Sequence, residues 1–233
     1  MFSLLTIEDK ILIDPSQFAD LIPDYRRKKK QSKLDMNEKS KEINKYSDIV
    51  YLKLREKYIS KIIINQGLVV SIKSFKIKSD LIVEIEGVID VRYECCLVMF
   101  CPKEGDILYG KICDSDQSYI TVDCEIIKVK VPIQQLMEPY YFNKKEKLWF
   151  WSHDGKSYYY EKNAKCRLKV IDTSFKGGKD VNKLINDKKE ELIEQGNEVI
   201  NENDIINSLT REDIMEIYCS MSQEGLGPIK WWE

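Results

Sequence analysis

Cysteine and histidine are side chains that often serve as nucleophiles, general bases or metal ligands in proteins. The seven cysteines stand at positions 95, 96, 101, 113, 124, 166 and 219, and none forms the C-x-x-C spacing of a zinc site. A Ser-His-Asp or Cys-His system would need the single histidine, His153, which lies in a polar turn. These residues predict buried thiols in a reducing compartment, and no catalytic, metal or cofactor site.

Residues 105–111 place glycine and lysine at the spacing of a phosphate-binding loop, G-x-x-x-x-G-K. The next residue is Ile112, so the hydroxyl that would bind Mg²⁺ is missing. The interior Ile-Leu-Tyr is typical of a strand, whereas a phosphate cradle needs a flexible loop that enters a helix. We therefore expect no nucleotide site here.

Lysines and a tyrosine on the predicted strands after Gly110 could contact single-stranded RNA, because barrels that bind single strands present stacking aromatic rings beside lysines. The candidates are Lys111, Tyr119, Lys128 and Lys130. An ordinary solvent-facing strand surface explains the same residues equally well. The chain has 37 Lys+Arg against 39 Asp+Glu, a formal charge of −2, so only a local contact is compatible with the composition.

The first hundred residues predict a compact α/β unit. A strand over residues 1–13 precedes a helix that begins near Asp48, and three antiparallel strands follow over 68–72, 83–86 and 91–95. Along the helix, apolar residues at spacings of three and four predict a single buried face, made of Tyr51, Leu54, Tyr58 and Ile62.

From residue 103 onward the pattern changes to short alternating strands. These are expected over 107–112, 118–123, 127–131, 148–151, 158–160, 166–170 and 217–221, with a short helical turn at 132–136. Five or so short strands with intervening turns fit a small closed barrel such as the OB-fold. The predicted fold class is α+β, with an α/β domain over 1–102 and a barrel domain over 103–233.

Two polar stretches interrupt these domains. Residues 24–47 have almost no large apolar side chains, which predicts a mobile or loosely helical insertion. Its basic run at 26–30 fits a phosphate contact, a nuclear localisation signal or simply a solvated loop. Residues 176–213 have ten acidic against six basic side chains, which predicts an amphipathic helix or an acidic excursion.

Membrane insertion and secretion are not expected. No apolar run approaches the roughly 18–20 residues that span a bilayer. Glu8 and Asp9 follow the first apolar residues and there is no basic segment before them, so a signal peptide is not expected either. The sequence predicts an intracellular protein.

Several segments, in their order along the chain, resemble the larger stalk subunits of nuclear RNA polymerase III, the counterparts of the E-prime component of the archaeal RNA polymerase. The segments are Met1-Phe2, Ile13-Asp14-Pro15 with Phe18, residues 64–68, residues 98–112, Val131-Pro132, Leu136, Pro139, Phe142 and residues 148–151. The most specific match is the stretch 222–232, with its Gly-Leu-Gly and its pair of tryptophans.

The resemblance implies a ribonucleoprotein-like α/β domain followed by an OB barrel, in a non-catalytic subunit of the nucleus. It implies as partners a smaller helical stalk subunit, the polymerase core subunits, initiation factors and weakly bound single-stranded RNA. Two alternatives remain open: a free-standing OB-fold RNA-binding protein of translation or RNA turnover, and the equivalent subunit of another nuclear polymerase.

The Gly-Leu-Gly and tryptophan residues are candidate structural or interface anchors: Gly225, Leu226, Gly227, Trp231 and Trp232. Two large apolar rings in a segment that would otherwise fray predict that at least one tryptophan is buried, against the junction of the two domains or against a polymerase partner.

Overall fold

The computed structural model describes residues 1–14, 36–78, 82–83, 89–176 and 211–233. Residues 24–35 of the first predicted insertion, with its basic run, and residues 177–210 of the second lie outside the described residues. The chain divides into an N-terminal unit, Phe2–Lys61 with Leu68–Phe100, and a barrel unit, Ile62–Gly67 with Cys101–Glu233 and Met1. None of the helices in the described ranges is long and apolar enough to cross a membrane.

One long central strand organises the N-terminal unit. The elements of this part of the chain are β1 (Phe2–Ile13), α1 (Met36–Tyr58), β2 (Ile62–Ile63), β3 (Gly67–Ile77), β4 (Ile82–Val83) and β5 (Ile89–Phe100). Strand β5 pairs antiparallel with β1, β3 and β4. Its alternate residues Val91, Tyr93 and Cys95 are buried, as the period-two pattern predicts, because successive strand side chains point to opposite faces.

Helix α1 differs from its prediction. It begins at Met36, so Asp48 lies inside the helix and is not its N-cap, and residues 36–47 of the predicted insertion are helical. Residues such as Glu, Lys and Met have favourable helix propensity and extend a helix once a packed turn has nucleated it. Among the helix residues from 47 onward, Val50 and Leu54 are buried and Tyr51 is 37% exposed. The predicted apolar face is therefore right for Leu54 and wrong for Tyr51, whose place is taken by Val50.

The second unit is built almost entirely from short strands. They are β6 (Ile107–Ser115), β7 (Tyr119–Asp123), β8 (Lys128–Pro132), β9 (Tyr140–Asn143), β10 (Leu148–His153), β11 (Lys156–Tyr159), β12 (Lys165–Phe175), β13 (Met215–Ser220) and β14 (Gly227–Pro228). Helix α2 (Arg211–Ile214) precedes β13, and 3₁₀ turns cover Ile133–Gln135 and Ile229–Trp231. The first of these turns confirms the short helical segment predicted at 132–136.

Five of these strands close into a barrel in the order β13, β8, β7, β6 and β12, with β12 returning to pair with β13. All neighbours are antiparallel except β13 and β8, which pair in parallel where Tyr218 lies opposite Lys130. Ile120, Val129 and Leu168 are among the buried residues of this unit. The closed five-stranded barrel is consistent with the OB-fold.

Strands β9, β10 and β11 form a separate three-stranded sheet, here called the inserted sheet. The predicted strands at 148–151 and 158–160 therefore belong to this sheet and not to the barrel. Asp154 and Gly155, with φ of 47° and 72°, make a tight turn that pairs β10 directly with β11. Two successive residues with positive φ match the twist of a two-residue hairpin, which explains why these strands pair with each other.

Candidate nucleic-acid interface and tryptophan anchor

The cysteines and the single histidine are the first candidates for chemistry in this chain. All seven cysteines are free, and burial raises the pKa of Cys124 and of Cys166 to about 12. The ring of His153 stacks on Trp151 at a centroid distance of 4.7 Å. Among the described residues, no group of three His, Cys, Asp or Glu side chains could hold a metal ion.

Three of the four candidate RNA contacts lie together on the barrel. Tyr119, Lys128 and Lys130 line one shallow depression together with Glu212 and Glu216. The ammonium of Lys130 lies 5.4 Å from the centre of the Tyr119 ring, a cation–π contact between β8 and its neighbour β7. This arrangement places an aromatic face beside lysines, as binding of a single strand requires.

Carboxylates compensate the positive charge of this depression. Lys130 Nζ donates a hydrogen bond of 2.9 Å to Glu216 Oε1, and the backbone N–H of Lys128 donates one of 3.2 Å to Glu212 Oε1. Burial alone would raise the pKa of Glu216, but hydrogen bonds from Lys130 and Tyr218 lower it below its ordinary value. Lys130 is therefore part of an ion pair, and a phosphate would have to compete with Glu216 for it.

Lys111 lies on β6, two strands away from Lys128. In the sheet register it stands opposite Asp123 on β7 and opposite Lys165 on β12. A second depression contains it, together with Tyr109 and Glu125. The four candidate residues thus line two depressions, and Asp123 of β7 lies between Lys111 and Lys128 in the sheet register.

The inserted sheet contains a group of aromatic residues that the sequence analysis did not select. Tyr141, Phe150 and Tyr159 lie directly opposite one another on three adjacent strands. Their ring centroids are 5.6 Å apart for Tyr141 and Phe150, and 5.2 Å apart for Phe150 and Tyr159. We call these three rings the aromatic row. The signal in the sequence was the triple aromatic runs at 140–142, 149–151 and 158–160, each centred on one of these residues.

The opposite face of the inserted sheet is attached to the rest of the barrel unit. Trp149 Nε1 donates a hydrogen bond of 2.9 Å to the carbonyl of Asp116, and Trp151 Nε1 donates one of 3.0 Å to the carbonyl of Glu138. Trp151 is only 8% exposed. One face of the sheet is thereby fixed, and the aromatic row lies on the other face because strand side chains alternate.

Both tryptophans of the terminal pair contact the fixed face of the inserted sheet. The Trp231 ring lies 4.7 Å from Tyr160 and 5.7 Å from Trp151, centroid to centroid, and is half-buried. Trp232 is 37% exposed, and its Nε1 donates a hydrogen bond of 2.8 Å to the carbonyl of Leu226. Within this chain neither ring is fully buried, because both cover the rim of an aromatic cluster instead of filling a closed pocket. Burial of a tryptophan against a polymerase partner stays a prediction.

The backbone conformation of the Gly-Leu-Gly residues sets the direction of the chain that leads to the two tryptophans. Gly225 and Gly227 have φ of 82° and 86°, a left-handed conformation that side chains with a Cβ rarely adopt. Leu226 between them is buried. A Cβ on Gly227 would stand 3.3 Å from a ring atom of Trp231. Glycine is therefore needed here both for the turn and for the close approach of the tryptophan.

These features define a class of protein: a chain with a closed five-stranded barrel to which a separate three-stranded aromatic sheet is attached. A family model described as RNA polymerase III subunit Rpc25 matches residues 106–232, more than half of the chain. The chain belongs to this family, which confirms the resemblance seen in the sequence.

Two curated relatives are similar over most of their length. The chain is 25% identical to DNA-directed RNA polymerase III subunit rpc8 of Dictyostelium discoideum over 242 residues, which cover 100% of this chain and 85% of that protein. It is 25% identical to DNA-directed RNA polymerase III subunit RPC8 of Saccharomyces cerevisiae over 197 residues, 77% of this chain and 86% of that protein.

Proposed function

We propose that this chain is the larger stalk subunit of DNA-directed RNA polymerase III and acts in the nucleus as a non-catalytic part of that enzyme. The observation that carries the proposal is the family match over residues 106–232, which covers the barrel from its first strand to the tryptophan pair. In this proposal residues 1–102 are a ribonucleoprotein-like docking domain and residues 103–233 are an OB-fold domain.

The proposed partners are a smaller helical stalk subunit, the polymerase core subunits and initiation factors. Exposed apolar residues on β1 support a docking role for the N-terminal unit. Phe2, Leu4 and Leu12 stand on one face of this strand, and each is more than half exposed. Phe2 and Leu4 are neighbours on this face, whereas Leu12 lies beyond Thr6, Glu8 and Lys10. Adjacent exposed apolar side chains such as Phe2 and Leu4 on a charge-rich chain support a surface that a partner covers.

The proposal also includes a weak contact between the barrel and single-stranded RNA. The lysines of the barrel support a weak electrostatic contact, and the ion pair between Lys130 and Glu216 explains why it should be weak. In this role the barrel would guide an emerging transcript without binding it tightly.

Affinity purification of the tagged chain from cells tests the proposal. We expect the core subunits of RNA polymerase III and one smaller subunit to co-purify, as identified by mass spectrometry. The variant Phe2→Asp/Leu4→Asp should lose them, whereas Ser3→Asp, an exposed polar position on the other face of β1, should retain them.

Three other results would contradict the proposal. Recovery of a different polymerase would favour the equivalent subunit of that enzyme. Recovery of a lone chain bound to RNA, with affinity that falls steeply with salt, would favour a free-standing RNA-binding protein. Recovery of the lone chain without RNA would contradict both functions.

A further inference from the structure

We infer that the outward face of the inserted sheet is a binding site for single-stranded RNA, in which bases stack on the aromatic row and the β9–β10 turn contacts phosphates. This inference rests on the proposed RNA contact and moves its main site from the barrel lysines to Tyr141, Phe150 and Tyr159.

The geometry of the aromatic row suits successive bases. Its three rings come from three neighbouring strands in direct register, with centroids 5.2–5.6 Å apart. Tyr141 is 52% exposed, and Phe150 and Tyr159 are half-buried. Aromatic side chains on adjacent strands bind single strands by stacking one base on each ring, which gives a site of about three nucleotides.

The sheet is held rigidly enough to present these rings without rearrangement. Its other face is fastened by the indole hydrogen bonds of Trp149 and Trp151 and is packed against the Trp231 ring. The row is therefore ordered before RNA arrives, which reduces the conformational entropy lost on binding.

The local charge favours a polyanion. Residues 140–162 contain five lysines against three acidic residues, a local charge of +2 in a chain whose total is −2. Lys144, Lys145 and Lys147 lie in the turn between β9 and β10, which begins and ends three positions along the chain from Tyr141 and Phe150. No ion pair within the described ranges involves these three lysines, whereas Lys130 on the barrel is paired with Glu216. Unpaired lysines beside exposed rings fit a sugar-phosphate backbone better than they fit the apolar surface of a protein partner.

Fluorescence anisotropy with a labelled oligouridine of about ten nucleotides tests this site on the full chain. Tyr141→Ala should weaken binding about five- to 150-fold, the range observed when one stacking ring is lost. Tyr141→Phe keeps the ring and should bind like the unmodified chain. Because stacking tolerates every base, an oligoadenosine of equal length should show the same loss.

The salt dependence of RNA affinity tests the role of the three lysines in the β9–β10 turn. Log affinity falls as log salt rises, and we measure the steepness of this fall between about 50 and 200 mM salt. Replacing Lys144, Lys145 and Lys147 by Ala should make the fall less steep, by about 0.7 for each phosphate that is no longer neutralised. The matched control replaces Lys111, Lys128 and Lys130 by Ala, and should change the slope less. Unchanged circular dichroism spectra at the assay temperature would show that both variants keep their fold.

The outcomes separate this inference from the proposed function. If the unmodified chain binds no RNA, both the proposed RNA contact and this site are wrong, although polymerase co-purification is unaffected. If it binds RNA and Tyr141→Ala binds equally well, only this site is wrong. If Tyr141→Ala leaves RNA affinity intact but removes a polymerase subunit or initiation factor from the purified complex, the row is a protein interface and the inference fails.

Discussion

The ammonium of Lys130 lies 2.9 Å from the carboxylate of Glu216, next to the point where β8 and β13 pair in parallel to close the barrel. Burial would lower the pKa of Lys130, but the hydrogen bond to Glu216 and the charge of that carboxylate raise it above its ordinary value. The charges neutralise each other on the surface that the sequence singles out for RNA. The pair therefore serves barrel closure more directly than it serves a phosphate.

The first prediction concerns this ion pair. Glu216→Gln should lower the free energy of unfolding by about 1 kcal/mol, since a partly exposed pair contributes little more than that. Urea unfolding measures the change. Glu212→Gln is the matched control, because the amide oxygen can still accept the hydrogen bond from the Lys128 backbone. An equal effect of both substitutions would show that the ion pair contributes nothing of its own.

The second prediction is a loss of stability in acid that depends on Asp9. The hydrogen bond from Lys57, followed in importance by that from Tyr58, lowers the pKa of this carboxyl to about 2, against the opposing effect of burial. A carboxyl whose pKa is lower in the folded chain stabilises the fold above its unfolded pKa, near 4, and this stabilisation is lost as the pH falls toward 2. Asp9 is partly exposed, so solvent screening limits the effect to about 0.5–1 kcal/mol.

Comparing the unmodified chain with Asp9→Asn tests this effect. The variant should be less stable at neutral pH, and the difference between the two chains should shrink as the pH falls from about 5 to about 2. Urea unfolding at each pH provides the measurement. A constant difference over this range would mean that Asp9 acts by packing alone and not by its charge.

The third prediction concerns Gly110 on β6. A Cβ at this position would stand 2.6 Å from the carbonyl oxygen of Asp123 and 2.6 Å from Val122 Cγ1. Gly110→Ala should therefore cost about 1–3 kcal/mol, the usual range for overpacking, and lower the melting temperature. At Gly155 an added Cβ meets nothing within 4 Å, but φ is 72°. Gly155→Ala should cost about 1–2 kcal/mol from the left-handed backbone alone.

The fourth prediction separates the two tryptophans. Trp231→Ala removes a half-buried ring with three aromatic neighbours, Trp151, Tyr158 and Tyr160. We expect a loss of about 2 kcal/mol, below the 3–5 kcal/mol of a fully buried tryptophan. Trp232→Ala removes chiefly one hydrogen bond and should cost about 1 kcal/mol. Thermal unfolding of both variants compares them, and the reverse order would contradict the packing described here.

Local sequence patterns were sufficient to predict an element and its buried face where one face of the element is buried and the other is solvated. The alternation of Val91, Tyr93 and Cys95 predicted both a strand and its buried face, since only one arrangement hides all three. The polar first half of α1 offered no such contrast. A helix of that composition has no apolar stripe, so its start at Met36 could not be read from periodicity.

The candidate site was harder to predict because its contacts are long-range. Lys130 and Glu216 are 86 positions apart, and only barrel closure brings them together. The triple aromatic runs around Phe150 have apolar residues on both faces, so alternation could not distinguish the fixed face from the exposed one. Direct register of the three strands, which creates the aromatic row, depends on turn geometry and pairing.

Barrel closure has a consequence for how the chain folds. Strand β13 must pair with β12 and β8, but residues 176–214 separate it from β12. The entropic cost of closing a long connection rises slowly with its length, by about 0.6 kcal/mol for each doubling. The length of this connection therefore matters more for the time at which β13 docks than for the stability of the fold. Until β13 docks, the other four strands leave two unpaired edges, and such edges recruit strands from other chains. Refolding yield should therefore fall as protein concentration rises, because closure by a neighbouring molecule competes with closure by the chain's own last barrel strand.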